Sequence, residues 1–255
     1  MHKSYYNNHS NMRNYYDKAK ESSNDFRKTK QYKIISEYIK DKKLVCELWC
    51  WEWTKLSAFK KDWRELYGFD ISKIWIEKAK EQYNDINFIL QDAENIKWYD
   101  NYFDCTMSFF VLEHIENPET YISNMINITK KWWLLVFWFP NYWSPLFPAP
   151  PTLYKKSAIS KFLLIFKRLF LRHIYGKNFY RNIQPIQWNY ECDYDAVSEI
   201  YMGKFREYLK NKNLKILHES SCRENCPKSL IFKLYLPFKY SCNYMWPQCF
   251  MVLRK

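Results

Sequence analysis

The sequence contains very little glycine. It has 3 Gly among 255 residues, whereas average usage of roughly 7 % would give about 18. Glycine adopts positive φ at no steric cost, so tight turns, helix ends and phosphate-binding loops normally contain it. Taken alone, the shortage argues against a nucleotide-binding α/β domain. The 12 Trp are the opposite anomaly, and the two counts together come close to the expected number of glycines.

Long apolar runs and metal-ligand spacings are also missing. No stretch of 18 consecutive apolar residues occurs and the first residues are polar, so we expect neither a secretion signal nor a membrane span. The 8 Cys are scattered. Cys222 and Cys226 form a C-x3-C pair, but no His or second close Cys pair completes a zinc site. We therefore expect reduced thiols, no metal and a cytoplasmic location.

The amino-acid composition is that of a globular protein, with 47 % hydrophobic and 26 % charged residues. The formal net charge of +13 is unevenly spread, because an acidic middle third lies between two basic ends. Within that middle third, short apolar runs alternate with segments of helical periodicity. The predicted strands are 44–48, 65–69, 86–90, 103–110 and 134–139, and the predicted helices are 54–61, 72–82 and 118–130, with further helices over 14–40 and 195–210.

Strict alternation of strands and helices predicts a parallel sheet covered by helices on both faces. In such sheets ligands bind beyond the carboxyl ends of the strands. The segment after the first predicted strand reads Glu47-Leu48-Trp49-Cys50-Trp51-Glu52-Trp53-Thr54. Three indoles at alternate positions would fill the space that a ligand needs beside a sharply turning backbone.

With Gly in place of each of these Trp, the segment becomes E-x-G-x-G-x-G. It then resembles the first motif of the class I S-adenosylmethionine-dependent methyltransferases, of the small-molecule type. The fourth predicted strand and the residues after it, 103–115, are similar to that family's F-D-x-V-x-x-x-x-V-L-E-H-I stretch. Residues Lys130-Lys131-Trp132-Trp133-Leu134 look like its Pro-Gly-Gly turn.

We hypothesise that most Trp here are glycines encoded by UGA and translated with an alternative genetic code that reads UGA as Trp. The positions concerned are Trp49, Trp51, Trp53 and Trp133, followed by Trp63, Trp75, Trp132, Trp138 and Trp143; the pattern says least about Trp98, Trp188 and Trp246. The alternative is that the Trp are genuine, in which case three indoles on one face of an extended segment would form a stacking ladder for sugars or single-stranded nucleic acid.

The resemblance implies S-adenosylmethionine as the cofactor and a set of residues that bind it. Asp70 would accept both ribose hydroxyls, as acidic residues do in dinucleotide folds. Its alternative role is an N-cap, which Ser72 already offers. Asp92 would bond the adenine amino group, or it is simply a surface loop residue. The full predicted set is Glu47, Trp49, Cys50, Trp51, Trp53, Asp70, Ile71, Asp92, Ala93, Ser108, Phe109 and Phe110.

His114 would lie near the methyl-transfer site and could act as general base toward a hydroxyl. The alternative, a histidine that packs the start of the next helix, is equally open. The implied fold is a Rossmann-like, seven-stranded, mostly parallel sheet with an antiparallel C-terminal strand and a helical lid insertion. The implied segments are an N-terminal helical part (1–43), the cofactor-binding core (44–143), a lid (144–190), and a C-terminal helix and strand pair (191–255).

Residues 155–172 form an apolar stretch edged with basic residues. It suits either a lid helix packed on the core or a helix in a membrane interface. The implied function is methyl transfer to a small-molecule or lipid-like acceptor by direct in-line displacement. The alternative is a non-catalytic binding module. Basicity alone would admit RNA, but no aromatic-basic RNA module is evident, and the sequence argues against nucleic acid.

Overall fold

A seven-stranded sheet organises the chain. The computed structural model describes residues 18–21, 23–51, 53–96, 98–142, 144, 156–170, 178–186, 194–221 and 248–255. The strands are β1 (Leu44–Leu48), β2 (Glu65–Asp70), β3 (Asn87–Leu90), β4 (Phe103–Phe109), β5 (Thr129–Pro140), β6 (Tyr180–Asn182), β7 (Ser198–Ile200), β8 (Lys215–Ser221) and β9 (Gln248–Arg254). The large sheet has the order β3-β2-β1-β4-β5-β9-β8, while β6 and β7 form a separate pair.

The first five strands are parallel, and β9 is antiparallel to both β5 and β8. The predicted seven-stranded, mostly parallel sheet with an antiparallel C-terminal strand is therefore confirmed. The helices are α1 (Lys30–Tyr38), α2 (Thr54–Ser57), α3 (Lys73–Gln82), α4 (Pro118–Ile128), α5 (Ala158–Phe170) and α6 (Met202–Asn211).

Local sequence explains where two of the helices begin. Asn117 accepts a hydrogen bond from the backbone N–H of Thr120 and precedes Pro118, a residue suited to the first helical position. Thr29 is extended and its hydroxyl accepts a bond from Tyr32 N–H, so α1 starts at Lys30. The predicted helix over 14–40 is thus interrupted in its described part, where a 3₁₀ turn (Phe26–Lys28) comes before α1. Residues 14–17 of that prediction lie outside the described residues.

Two other predicted boundaries are wrong for the same reason, which is strand pairing. β5 begins at Thr129 instead of Leu134, because Thr129 pairs with Phe103 of β4. The C-terminal helix begins at Met202 instead of Asp195, because β7 pairs with β6. Of the predicted lid, the structure describes α5 and β6 among other residues, and the division of the chain into four segments stays a prediction.

Close packing around β2 requires its glycine. A Cβ on Gly68 would lie 2.7 Å from Cys50 Sγ and 2.8 Å from Phe88 Cδ1, both too close. The chain after β1 is therefore pressed onto β2 and β3. This contact fixes the start of the loop that follows β1.

Candidate functional site

The strand order reverses between β1 and β4. The chain proceeds outward from β1 to β2 and β3 on one side and from β4 to β5 on the other. In open α/β sheets ligands bind in the crevice outside the carboxyl ends of the strands at such a switch point. Two segments border it here, the loop 49–53 after β1 and the 3₁₀ turn Leu112–His114 after β4.

The loop after β1 uses a left-handed backbone at each of its Trp residues. The φ angles are 55° at Trp49, 47° at Trp51 and 50° at Trp53. The backbone N–H of Cys50 donates to Phe69 O at 3.0 Å, which ties the loop to β2. A left-handed conformation costs an L-residue with a Cβ roughly 1–2 kcal/mol, and glycine avoids this cost. The loop has the backbone geometry for which glycine is the usual residue.

Of the three indoles, that of Trp51 crosses the space at the switch point. Trp49 and Trp53 are buried, and Trp51 is half-buried. The ring of Trp51 lies 5.3 Å from His114 and 5.9 Å from Trp75 of α3, so it bridges the two sides of the crevice. The predicted alternative of an indole ladder is wrong, because the segment is not extended and two of its rings are buried in the core.

Asp70 ends β2 and faces the loop. Its carboxylate accepts hydrogen bonds from Trp51 N–H at 3.1 Å and from Ser72 N–H at 2.8 Å. Burial raises the pKa of Asp70 to about 7 despite these bonds. Ser72 occupies the N-cap position of α3, as expected, but its side chain makes no cap hydrogen bond. Ser72 Oγ is buried and has no hydrogen-bond partner among the described residues. Ile71 lies between them and is half-buried.

Asp92 and Ala93 follow β3 at the same edge of the sheet. The Asp92 carboxylate accepts a bond from Glu94 N–H at 3.0 Å and caps a 3₁₀ turn, Ala93–Asn95. Asn124 of α4 donates to the carbonyl of Ala93 at 3.0 Å. Ala93 is fully buried, and the carboxylate of Asp92 is held by the turn that it caps. The predicted adenine contact stays a prediction.

The carboxyl ends of β1 and β4 complete the base of the crevice. Glu47 is buried in β1, where it is level with Gly68 of β2 and Met107 of β4. Ser108 and Phe109 are buried at the end of β4, and Phe110 follows with a φ of 57°. Tyr121 of α4 donates to Ser108 Oγ at 3.0 Å. The sequence did not single out Tyr121, because its helical spacing is that of any core position.

His114 lies on the other side of the crevice and is buried between two carboxyl groups. Its Nδ1 is 3.6 Å from Asp195 Oδ2, and its Nε2 is 3.9 Å from Glu113 Oε1. Asp195 is brought there by the segment before β7, where Val197 N–H donates to Glu113 O at 2.8 Å and Ser198 Oγ donates to Ile115 O at 2.6 Å. Sequence reasoning missed Asp195, and no motif or local spacing could have found it.

Comparison with known proteins places one family model on the middle of this chain. Residues 53–137 match the family model described as a methyltransferase domain, which spans the sheet from the end of the loop after β1 to β5. The match covers one third of the chain. No curated protein matches the chain.

Solved structures resemble the chain over most of its length at low identity. A protein of Listeria monocytogenes described as a candidate S-adenosylmethionine-dependent methyltransferase is 13 % identical with a TM-score of 0.56, over 88 % of this chain and 97 % of that one. A Burkholderia thailandensis N1-methyltransferase, solved with 1,6-didemethyltoxoflavin and S-adenosylhomocysteine, is 9 % identical with a TM-score of 0.56, over 94 % and 83 %. The [4+2]-cyclase SpnF is 12 % identical with a TM-score of 0.54, over 88 % and 78 %.

The chain therefore has a Rossmann-like fold similar to that of class I methyltransferases, and its residues 53–137 match a methyltransferase domain. The prediction of S-adenosylmethionine as cofactor is supported by the match to a methyltransferase domain. The cyclase with the same fold shows that architecture alone does not fix the reaction.

The residues present fit that cofactor in part. Asp70 offers an acceptor at the end of β2, and the buried Ser72 hydroxyl beside it lacks a partner among the described residues. The left-handed loop would let a ligand approach the backbone closely if its side chains were absent. The indole of Trp51 does not fit, since it fills the crevice between α3 and His114. The strand end and the loop backbone that a cofactor needs are therefore present, but the indole of Trp51 blocks the crevice.

Proposed function

We propose that this chain is an S-adenosylmethionine-dependent methyltransferase whose loop after β1 works with glycine at positions 49, 51 and 53. The acceptor is a small or lipid-like molecule. The cofactor supplies a methyl group on a cationic sulfur, which an acceptor nucleophile displaces in line, so the protein contributes mainly proximity and alignment. The observation that most directly supports this function is the bond from Trp51 N–H to Asp70, which joins the left-handed loop to the end of β2 at the switch point.

The binding roles follow the position of each residue around the crevice. Asp70 would accept the ribose hydroxyls, and Glu47 would orient the turn and reach the amino end of the cofactor. Asp92 and the Ala93 N–H would meet the adenine ring. Ser108, Phe109 and Phe110 would line the methionyl part. These roles are supported by the common edge that the strand ends form, and they remain proposals for each residue.

Backbone conformation supports glycine at several Trp positions. Among the described residues, five of the eight non-glycine residues with positive φ are Trp, namely Trp49, Trp51, Trp53, Trp98 and Trp132. Trp is not a residue that favours this region, where Asn and Asp are the usual exceptions. Positive φ therefore adds Trp98 to the positions proposed to be glycine. It does not extend to Trp63, Trp75, Trp133 and Trp138, which do not have positive φ, and Trp143, Trp188 and Trp246 lie outside the described residues.

The coding DNA tests the translation hypothesis directly. UGA codons at 49, 51 and 53 would support it, whereas UGG codons there would refute it. In that second case the protein would be a decayed methyltransferase fold that binds without catalysis, which is the competing function. UGA codons would not by themselves show that the chain binds the cofactor, so binding has to be measured separately.

Calorimetry with S-adenosylhomocysteine tests the binding proposal on W49G/W51G/W53G. We expect this variant to bind at least tenfold more tightly than the parent chain, equal to about 1.4 kcal/mol, because the indoles leave the crevice. The matched control is W63G/W98G/W132G, which removes three exposed indoles elsewhere and should bind no better than the parent. Tight binding by the parent, or no binding by the first variant at millimolar ligand, would contradict the proposal.

His114 is proposed as the general base for a hydroxyl acceptor, with Asp195 as the residue that positions it. A carboxylate beside Nδ1 would hold the ring so that Nε2 can take a proton. In the W49G/W51G/W53G background, His114→Gln should lower kcat by about 10²-fold or more and leave binding of S-adenosylhomocysteine unchanged. Asp195→Asn should alter the pH dependence of kcat, while Asp195→Glu should restore part of it.

A suitable acceptor must be found before that comparison is possible. Screening quinones, phenols and lipid extracts with methyl-labelled cofactor would identify one. The Burkholderia enzyme of similar fold, which was solved with 1,6-didemethyltoxoflavin, supports a small-molecule acceptor. If His114→Gln and Asp195→Asn leave both kcat and its pH profile unchanged, His114 only packs the turn after β4.

A further inference from the structure

Helix α5 presents an apolar surface outward. Ile159, Phe162, Leu163 and Phe166 are 74 %, 68 %, 58 % and 53 % exposed. Their spacing of three, one and three residues places them on one face of the helix. Leu164, on the other side, is less exposed than these four. A lid helix packed on the core would have the opposite arrangement, with its apolar face covered.

The sequence itself specifies this helix. Ser157 precedes it, and its hydroxyl accepts a bond from Ser160 N–H at 3.2 Å. Ser and the other short polar residues are favoured at this position. The 13 residues of α5 extend about 20 Å at 1.5 Å per residue. The apolar face is thus a defined surface about four turns long.

Positive charge is concentrated in and around this helix. Residues 155–172 contain six Lys or Arg and no Asp or Glu, and the longer segment 144–190 contains eight Lys or Arg and likewise no acid. Lys156, which lies just before the helix, and Lys161, which lies within it, are exposed. A helix with an apolar face and nearby cationic side chains is suited to a surface that combines anionic groups with hydrocarbon chains.

We propose that α5 docks this protein on membranes that carry anionic lipids. The apolar face would enter the boundary between head groups and acyl chains, as in other interfacial amphipathic helices, and the lysines would meet the acidic head groups. The helix lies on the bilayer and does not cross it, because a span needs about 20 apolar residues. Within the described residues, no helix is long and apolar enough to cross a membrane.

A second copy of the chain fits the same face poorly. Contact between two copies of α5 would bring the lysines of both helices together on chains that each carry a formal charge of +13. A stable interface also needs roughly 800 Å² from each partner, more than one face of a 13-residue helix provides. Charge complementarity therefore favours an anionic lipid surface over a second copy of the chain.

Vesicle flotation tests this proposal with the protein as it exists. Vesicles of phosphatidylcholine alone are compared with vesicles that also contain phosphatidylglycerol. We expect binding to the anionic vesicles to exceed binding to the neutral ones by at least tenfold and to weaken as salt is added. The readout does not depend on methyl transfer, so it can fail or succeed independently of the proposed function.

Two pairs of variants separate the apolar and the electrostatic contributions. Phe162→Ser with Phe166→Ser should abolish binding, and its control is L90S/W98S, which changes two exposed apolar residues elsewhere. Lys156→Ser with Lys161→Ser should weaken binding to anionic vesicles roughly tenfold. Its control, K33S/K215S, removes two exposed lysines outside α5 and should lose much less.

Three results would overturn the proposal. The parent chain could fail to float with anionic vesicles, or F162S/F166S could bind as well as its control. Sedimentation could also show a dimer that F162S/F166S converts to monomer, which would make the face a contact between copies. All these side chains are exposed, so thermal unfolding should confirm that each variant remains folded.

Discussion

The two edges of the parallel sheet hold their buried charged groups in different ways. At the amino edge, the Arg64 guanidinium donates to the carbonyls of Lys42, Phe59 and Ile39. Asp104 there accepts bonds from the N–H groups of Lys43 and Leu44 and pairs with the ammonium of a lysine in β5. Each charged group at this edge joins the start of a strand to neighbouring segments.

At the carboxyl edge, buried carboxyl groups gather around the crevice. Glu47, Asp70, Glu113 and Asp195 are all buried there, and four backbone positions with left-handed φ lie near them, at residues 49, 51, 53 and 110. Burial raises the pKa of Asp70. Strained backbone and perturbed carboxyl groups tend to cluster at functional sites. The comparison indicates that the amino edge stabilises the sheet and the carboxyl edge is arranged for a ligand.

The largest effect should come from Arg64→Met. The change leaves three carbonyls without their donor in a buried place, which should lower the free energy of unfolding by roughly 3–5 kcal/mol. Urea unfolding measures it. Lys61→Met, at an exposed neighbour, should change stability by less than about 0.5 kcal/mol. If R64M in the W49G/W51G/W53G background lost ligand affinity while still folded, the two edges would not be independent.

The next effect is the pH dependence of stability that Asp70 contributes. Its pKa is about 7 in the folded chain and about 3.9 in an unfolded chain, so between those values the folded state holds a proton that the unfolded state lacks. The free energy of unfolding should therefore fall as the pH rises from about 4 to 7, by up to about 1.4 kcal/mol per pH unit, and level off above. Asp70→Asn should remove this contribution.

The control for that measurement is Asp100→Asn, which changes an exposed carboxyl group and should leave the slope in place. The glycine variant W49G/W51G/W53G tests whether burial of Asp70 causes this pH dependence. With the indoles gone, water reaches Asp70 and its pKa should move back toward the ordinary value, so the slope should shrink. A slope that is equal in the parent, D70N and the glycine variant would refute the role assigned to burial.

The smallest effect distinguishes neighbouring Trp residues in β5. Trp132 has a φ of 71° and is 70 % exposed. Replacing it by Gly should stabilise the chain by about 0.5–1 kcal/mol, because the relief of left-handed strain exceeds the entropy that Gly adds to the unfolded chain. Trp133 does not have positive φ and lies 4.1 Å from Lys42 Nζ. Trp133→Gly should therefore destabilise, and thermal unfolding would show opposite signs for the two variants.

The local pattern predicted most of the sheet. β1 has the predicted bounds, and the other predicted strands overlap the observed ones, because alternation of apolar runs and helical segments is encoded locally. The wrong starts of β5 and α6 depend on which strand pairs with which. The helix predicted over 54–61 is also shorter than expected, since α2 ends at Ser57. Pairing between residues far apart in the chain leaves no signal in local periodicity, and β6 and β7 were missed for that reason.

For the candidate site, the sequence identified where the loop after β1, Asp70, Asp92 and the end of β4 lie along the chain, since each follows a strand. It did not reveal that Asp195 returns to His114, or that Ser72 leaves its hydroxyl without a partner among the described residues. Both facts depend on how distant segments pack against the turn after β4 and the start of α3.

The scarcity of glycine and the excess of Trp were properties of the sequence by itself, and so was the order of strands and helices that made a cofactor loop expected after β1. Only the tertiary structure decided which Trp have a left-handed backbone, which side chains meet across the crevice, and which face of α5 turns outward. The physical reason is that φ at a turn and the exposure of a helix face are set by the packing of neighbouring elements. The spacing of apolar residues, in contrast, is a local property of the sequence.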